Sequence, residues 1–517
     1  MLPIMPLSRN KKITLLFLAL VILVSIPSVM SLFHHGFFQS DDGEWMIIRF
    51  SAFHQALRDG EFPVRWLGRL NYEYGYPVSN FLYPGFMYLS EPIKILGFKF
   101  VDTIKILIGL SLIASFLFCF LWLSNLFNRF SALVGSLYYL YLPYHLFDVY
   151  KRGSVGEVLA LSFVTFILWM IEKKNLFFIS VGLCLLILSH NTLALLFYPI
   201  LFFYSVLRRK LSLKRTLIAF LVGVLLSSFF SLPAIFDLSS TVFSKVSISN
   251  PSGFFASFDL ISIASVIALL TSLFLTIKPS IRRNFNPLTL FFILVAFISI
   301  FLSSSLSFVL WRIIPSNIFQ FPFRFLSLEL LALAYLVAFE VDKTTNWRKF
   351  LVGLVLIFLL FGFSYKFLTP QSFFDKGEGF YATNEATTTV KDEYMPKWLS
   401  PRPSQSPKNK IDGNTLINNL AVKVNRITFS ISSSKKTNIR LNTAYFPGWN
   451  VYIDGKRGEI NYKNSGLIEF ITPAGQHNIK VVFEETALRL FSDFLSLASF
   501  ICLLFILKFK LFKEEEK

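Results

Sequence analysis

Long apolar runs broken by short charged stretches dominate the chain. They fall near 13–33, 103–124, 131–147, 154–172, 175–189, 191–207, 214–235, 257–277, 286–303, 323–340, 348–367 and 487–508. A helix needs roughly 20 apolar residues to cross a bilayer core. The pattern therefore predicts an α-helical polytopic membrane protein with about twelve spans, several of them short. The first run follows Arg9, Lys11 and Lys12, the basic head of a signal peptide. It is long for that role, and no small-residue cleavage site precedes His34, so a retained helix entering from the cytoplasm is expected.

Alternation of the spans makes a prediction about charge. The loops it places inside carry Arg129; Lys173 and Lys174; Arg208, Arg209, Lys210, Lys214 and Arg215; Lys278, Arg282 and Arg283; and Lys343, Arg348 and Lys349, with Lys508, Lys510 and Lys513 in the tail. The short outside loops hold chiefly Lys151, Arg152, Lys245 and Arg312. That asymmetry is the positive-inside bias, and one missed span would scramble it. Both termini are expected in the cytoplasm, with the segments 34–102 and 368–486 outside. The expected domains are a transmembrane body over 1–367, an external linker and β domain over 368–486, and a last span with tail over 487–517.

Within the second external segment, 382–414 is polar and rich in Pro and Ser and reads as irregular. Short alternating runs then follow at 426–432, 438–444, 449–453, 467–471 and 478–483, divided by the turn signals Asp454-Gly455 and Pro473-Ala474-Gly475. This predicts a small antiparallel β sandwich.

Composition sharpens the class. The 517 residues are 54% hydrophobic and 16% charged, against about 45–50% and 25% in a soluble domain. The net charge of +19 sits at span ends, with no separate basic stripe interleaved with aromatics, so nucleic acid is not an expected partner. Cys119, Cys184 and Cys502 all fall inside spans and read as small apolar packing residues. No metal-type spacing is present, and neither a cofactor nor a metal is assigned.

The first external loop is richer than a connector requires. After Asp41-Asp42-Gly43-Glu44 comes a helical stretch with Met46, Phe50, Phe53 and Leu57 on one face. Ser51, His54, Gln55 and Arg58 lie on another, which predicts a helix at the membrane interface ending at Gly60. Asp41 and Asp42 admit two readings. Asp41 with Glu44 three residues on is a capping box, and acidic groups favour a helix N-terminus. Alternatively, a carboxylate here binds an acceptor hydroxyl and takes its proton. The two are compatible if one aspartate caps and the other faces substrate. Arg65, Arg69, Arg152 and Arg324 fall at or near the outer boundary, and a guanidinium suits a phosphate; each alone is more often an interfacial anchor, whereas four on one face favour at least one binding an anionic headgroup. Trp66, Tyr74, Tyr76 and Tyr83 suit stacking on a sugar as well as an aromatic belt. Glu157 opens the fourth span, and His190 sits in the outer turn Ser189-His190-Asn191. Each is read equally as a substrate contact or as a satisfied polar group at a span's end. No nucleotide-binding or hydrolase motif sits in a credible context.

The runs Asp42-Gly43, His54, Leu57 to Trp66, Tyr74-Gly75-Tyr76-Pro77 and Tyr83-Pro84 together resemble the first loop of YfhO-like membrane proteins. The nearest branch is the one labelled "6-pyruvoyl-tetrahydropterin synthase-related", a label that does not describe a pterin enzyme. The likeness extends to Pro143-Tyr144-His145, Arg152 with Glu157, Ser189-His190-Asn191, Phe321-Pro322-Phe323-Arg324, Glu393 to Pro396 and Tyr445 to Lys456. It implies a GT-C-type glycosyltransferase that moves a sugar from a polyprenyl-phosphate donor to an acceptor outside the cytoplasmic membrane. Its catalytic acidic residue maps onto Asp42, with Asp41 beside it. Arg152, Arg324 and Arg65 become donor-phosphate ligands, and His54, Trp66, Tyr74, Tyr76, Tyr83, Glu157 and His190 substrate contacts. The chain departs from the family at Glu44-Trp45-Met46, where members often carry a histidine. Two rival readings are a lipid or polysaccharide flippase or transporter, which calls for broken helices and midplane ionisable groups, and a non-catalytic envelope-assembly protein whose external domain is the working part.

Overall fold

A computed structural model describes residues 9–243, 251–277, 286–385, 392–413 and 415–509. Lys245, Lys278, Arg282, Arg283, Lys510 and Lys513, counted above for topology, lie outside these, as do parts of the polar linker, 386–391 and 414. The chain divides into two compact units. The first comprises Met1–Glu44, Ile104–Gly223 and Ile248–Asp375; the second comprises Trp45–Thr103, Val224–Ser247 and Lys376–Lys517.

Helices stand at the apolar runs. Among the described residues, five are long and apolar enough to cross a membrane: Phe100–Leu123, Val155–Glu172, Asn191–Arg208, Arg348–Phe367 and Ala487–Phe505. A sixth exists if Leu213–Leu226 and Ser228–Ser240 form one span bent by 68°; the break falls at Ser227-Ser228, a recognised cause of sharp kinks. The helices Ala19–Phe33, Leu176–Ser189, Ile263–Ile277 and Pro287–Ser303 are apolar but shorter. The two remaining runs form Arg129–Tyr141 with Pro143–Phe147, and Leu326–Lys343.

In the first unit, Leu326–Lys343 is the central helix. Every residue from Leu326 to Val341 is buried, which is what a helix inside a bundle shows. It packs on Arg129–Tyr141, Pro287–Ser303 and Ile263–Ile277. A methyl at Gly135 would run into the Ala334 carbonyl and lie 2.8 Å from Ala338 Cβ, so small residues set the close helix approach here. Beyond the first helix, strand β1 (Phe37–Phe38) pairs antiparallel with β2 (Phe373–Phe374). Lys105 donates to the carbonyls of His34 and Gly36 at 2.7 and 3.0 Å. These bonds fix the backbone that leads into Asp41.

In the second unit, the helix Gly43–Arg58 buries Met46, Ile47, Phe50 and Phe53. Phe50 meets Phe100 at 5.8 Å and Phe53 meets Tyr88 at 4.8 Å. The apolar face expected at the membrane interface is therefore clad by the loop's own aromatic side chains. Eight strands follow: β3 (Ile411–Asp412), β4 (Leu416–Lys423), β5 (Arg426–Ser433), β6 (Thr437–Ala444), β7 (Trp449–Ile453), β8 (Lys456–Gly458), β9 (Leu467–Thr472) and β10 (Gly475–Phe483). They form two antiparallel sheets, ordered β4-β5-β10-β7-β8 and β3-β6-β9. Alternate residues are buried, among them Ile427, Phe429 and Ile431 in one sheet and Ile439 and Leu441 in the other. Strand β4 was not legible in the sequence because a register shift between Asn418 and Ala421 breaks its alternation and nearly all of it is exposed.

Buried ion pairs tie the last helix into this unit. Arg65 binds Glu485 at 3.1 Å, Asp493 at 2.9 Å and the Phe229 carbonyl at 2.6 Å. Arg489 binds Asp237, which also accepts from Asn80. Burial pushes the Glu61 carboxyl up to about 8, while its Oε1 accepts from the backbone N–H groups of Arg65 and Trp66 at 2.7 and 2.9 Å. A carboxyl whose folded pKa is raised binds more protons folded than unfolded, so stability falls as pH rises from the group's ordinary value of 4.5 towards 8. Glu61→Gln keeps the acceptor oxygen and is expected to flatten that fall, with its Tm exceeding the wild type's at pH 8 but not at pH 4. Parallel melting curves across this range check it.

Candidate functional site

The first unit brings together several of the sequence-predicted residues. Pro143 starts a short helix to Phe147, and a π-helical turn, Asp148–Arg152, follows; such turns often mark functional sites. Gly153 ends it in a left-handed conformation, φ +67°. The turn's carbonyls then receive the first loop: Asp41 N–H donates to Lys151 O at 2.9 Å and Asp42 N–H to Arg152 O at 2.8 Å. Ser40 Oγ accepts from Gly43 N–H at 3.3 Å at the start of the helix.

Glu157 is the hub. Its Oε1 lies 2.5 Å from Arg152 Nη1, 2.9 Å from Arg324 Nη2 and 3.5 Å from His190 Nε2. Its Oε2 accepts from Tyr144 Oη at 3.0 Å. Arg152 also holds Asp148 at 2.9 Å and approaches Asp42 Oδ2 at 3.8 Å. Glu157 and Asp148 are fully buried and the two guanidinium side chains are 4% and 3% exposed, whereas the Asp42 side chain is 46% exposed. The rings of Phe321 and Phe323 flank Arg152 at 5.4 and 5.2 Å. Asp41 stands apart from the hub, exposed, with Lys151 Nζ at 3.3 Å.

Burial pushes the Asp148 carboxyl well above the ordinary range, and the Glu157 charge adds to this. Burial also holds the His190 imidazole down, to about 3, so it is neutral at physiological pH. Behind Asp42 the two guanidinium groups share the buried carboxyl groups of Glu157 and Asp148. That arrangement suits an anion next to a proton acceptor. Among the described residues, no group of three His, Cys, Asp or Glu side chains is placed to hold a metal ion.

The other predicted residues belong to the second unit. Arg65 is engaged by Glu485 and Asp493, as described above. His54 Nδ1 is 2.9 Å from Glu91. Trp66 and Tyr76 are wholly buried and Tyr83 is 7% exposed, so the ring faces expected to stack on a sugar are taken up in internal packing. Trp66 lies against Phe446, Trp449 and Phe483. Tyr74 is half-buried, and its carbonyl accepts from Ala444 at 2.7 Å. Arg69 caps backbone carbonyls, including that of Asn384 at 3.1 Å.

Asp148, Tyr144, Phe321 and Gly153 complete the cluster without having been singled out as site residues. Asp148 and Arg152 were visible as an i,i+4 pair. Gly153 carried no signal, yet a Cβ there would sit 2.5 Å from Ser40 Oγ and 2.6 Å from Gly43 N. Gly153→Ala is expected to lower stability by about 1–2 kcal/mol from backbone handedness alone. It should also displace the Ser40–Gly43 backbone, so the loss should exceed that figure. Melting temperatures of the variant and the wild type check it.

No family model and no curated protein matches the chain. Its backbone is similar to the cryo-EM structure of the arabinofuranosyltransferase AftD from Mycobacteria, with 15% identity and a TM-score of 0.47, covering 72% of this chain and 28% of that one. It is also similar to the crystal structure of the Archaeoglobus fulgidus oligosaccharyltransferase in the apo form, with 10% identity and a TM-score of 0.44, covering 70% of this chain and 56% of that one. The chain thus spans between roughly a quarter and three-fifths of the solved structures it resembles.

Proposed function

We propose that this chain is a membrane glycosyltransferase of the GT-C type, using a polyprenyl-phosphate-linked sugar and an acceptor outside the cytoplasmic membrane. One observation carries the reading: a half-exposed carboxylate, Asp42, stands 3.8 Å from the guanidinium of Arg152, at the edge of a buried cluster that also holds Arg324. Asp42 accepts the proton of an acceptor hydroxyl as its oxygen attacks C1 of the sugar. The C1–O bond to phosphate breaks on the opposite face, giving inversion. Arg152 and Arg324 stabilise the phosphate charge that develops on the departing polyprenyl phosphate. Phosphate is a competent leaving group, so no cofactor or metal is assigned a role. The polyprenyl chain lies between spans, and the acceptor is an envelope glycopolymer, glycolipid or protein. The positive-inside pattern supports twelve spans with both termini cytoplasmic.

A transporter calls for ionisable groups near the membrane midplane. Glu329 and Glu340 are buried in the central helix Leu326–Lys343, but each lies within about one turn of an end. Proteoliposomes holding the purified protein provide the test. Sugar label added as polyprenyl phosphate should appear in an external acceptor fraction, and label added as a nucleotide sugar should not. Transport of intact lipid-linked sugar without bond transfer would overturn the proposal.

A further inference from the structure

The second unit holds a cleft of about 900 Å³, at the upper end of the range for small-ligand sites, about 300–1,000 Å³. One wall is the polar face of the helix Gly43–Arg58, with Ser51, Gln55 and Arg58. The floor is the turn from Trp66 to Glu73, and the far wall is the β domain, where Thr443 and Trp449 line it. Gly68 permits this closeness: a methyl there would sit 3.1 Å from Val424 O.

Two observations describe the occupant. The first is charge. The cleft's four cations, Arg58, Arg69, Lys410 and Lys423, stand among three carboxylates, Asp59, Glu73 and Glu385, and two of the cations are already engaged. Arg69 donates to Ser51 Oγ at 2.5 Å, and Lys410 donates to the carbonyls of Glu73 and Asn442 at 2.6 and 3.0 Å. A polyanion meets carboxylates here, and an acyl chain meets charge. The second observation is a pair of orphaned polar atoms. Thr443 and Trp449 are each 3% exposed, and Thr443 Oγ1 and Trp449 Nε1 have no hydrogen-bond partner among the described residues. Thr443 lies in the bulge of β6 between Leu441 and Ala444, and Trp449 begins β7. Buried donors without partners are rare in folded proteins, and each calls for an explanation. An indole N–H only donates, whereas a hydroxyl donates and accepts. A ligand rich in hydroxyls complements both.

We infer that this cleft binds a neutral oligosaccharide, with Trp449 Nε1 and Thr443 Oγ1 bonded to its hydroxyl groups. Under the transferase reading the bound glycan is the acceptor. Binding itself does not require that reading. The polar face of the helix Gly43–Arg58 meets its remaining hydroxyls.

The test uses the full chain in nanodiscs. Neutral gluco-, manno- and galacto-oligosaccharides of about three to six sugars, a size suited to such a site, are titrated by calorimetry and thermal shift. At least one series should bind saturably. Thr443→Val keeps shape while deleting one polar atom, and Trp449→Phe removes the indole N–H together with one ring; each should weaken binding about tenfold. Without ligand Thr443→Val should melt at or above the wild-type temperature, since it removes an unpartnered buried group. That separates lost recognition from lost folding. The inference is overturned if no neutral series binds, if both variants bind as the wild type does, or if a poly(glycerol phosphate) or an unstructured peptide binds more tightly. Oligosaccharide binding by a protein that shows no sugar transfer would remove the transferase reading and leave this one standing.

Discussion

Asp42→Asn is expected to abolish sugar transfer while leaving the protein folded and inserted. Asparagine keeps the size of the side chain and can still accept a hydrogen bond, but it cannot take the acceptor's proton. Loss of a positioned general base typically costs about 10²–10⁴ in rate. Little structural cost is expected, because the side chain is 46% exposed and its contact with Arg152, at 3.8 Å, is long. The segment is held instead by backbone bonds, notably Asp42 N–H to Arg152 O, which the substitution spares. Asp41→Asn is the control. Asp41 is 54% exposed and faces Lys151 rather than the buried cluster, so most of the activity should remain. Transfer rates in proteoliposomes, read beside melting temperature, decide the matter. Undiminished labelling of the acceptor by Asp42→Asn would remove the carboxylate from the mechanism.

Replacing Glu157 by glutamine should have the largest effect on the fold of any substitution in the cluster. Glu157 Oε1 serves Arg152, Arg324 and His190 together. Without its charge, two guanidinium groups remain buried, with Asp148 bonded to only one of them. Breaking a buried pair by removing one partner costs about 3–5 kcal/mol, a large share of the roughly 5–15 kcal/mol that holds a domain together. Yield and Tm should therefore fall sharply. The proposed phosphate site adds a further expectation. An anion that binds the arginines stabilises the protein by mass action, so short-chain polyprenyl phosphate should raise the Tm of Glu157→Gln more than that of the wild type. Equal shifts would indicate that the arginines serve only to pair with Glu157.

How far the site was legible follows from these same residues. Asp42, Arg152, Glu157, His190 and Arg324 could each be marked in the sequence, because charged residues at the edges of apolar runs stand out against their surroundings. Their convergence could not be read. Glu157 and Arg324 are 167 positions apart, and their 2.9 Å contact comes from how helices pack, which local periodicity does not encode. The same gap misled the reading of Trp66 and Tyr76. Aromatic residues in an external loop look equally suited to a ligand, a membrane surface or a core. Only Phe446, Trp449 and Phe483, more than 370 residues on, decided that Trp66 belongs to packing. Arg489 and Asp493 carry a signal of their own in the sequence, since ionised groups in an apolar helix need partners.

The sequence alone determined the apolar runs and their helices, five of the eight strands of the β domain, and the acidic pair beside the first run. Each of these rests on short-range periodicity or on the cost of exposing polar groups to hydrocarbon. The tertiary structure alone decided which arginines share a carboxylate, that Arg65 is engaged by Glu485 and Asp493, and that Asp42 rather than Asp41 stands beside the buried cluster. It also decided that Thr443 and Trp449 are left without partners. Those outcomes depend on distances across the fold, where desolvation and charge pairing act between residues that the chain order keeps far apart.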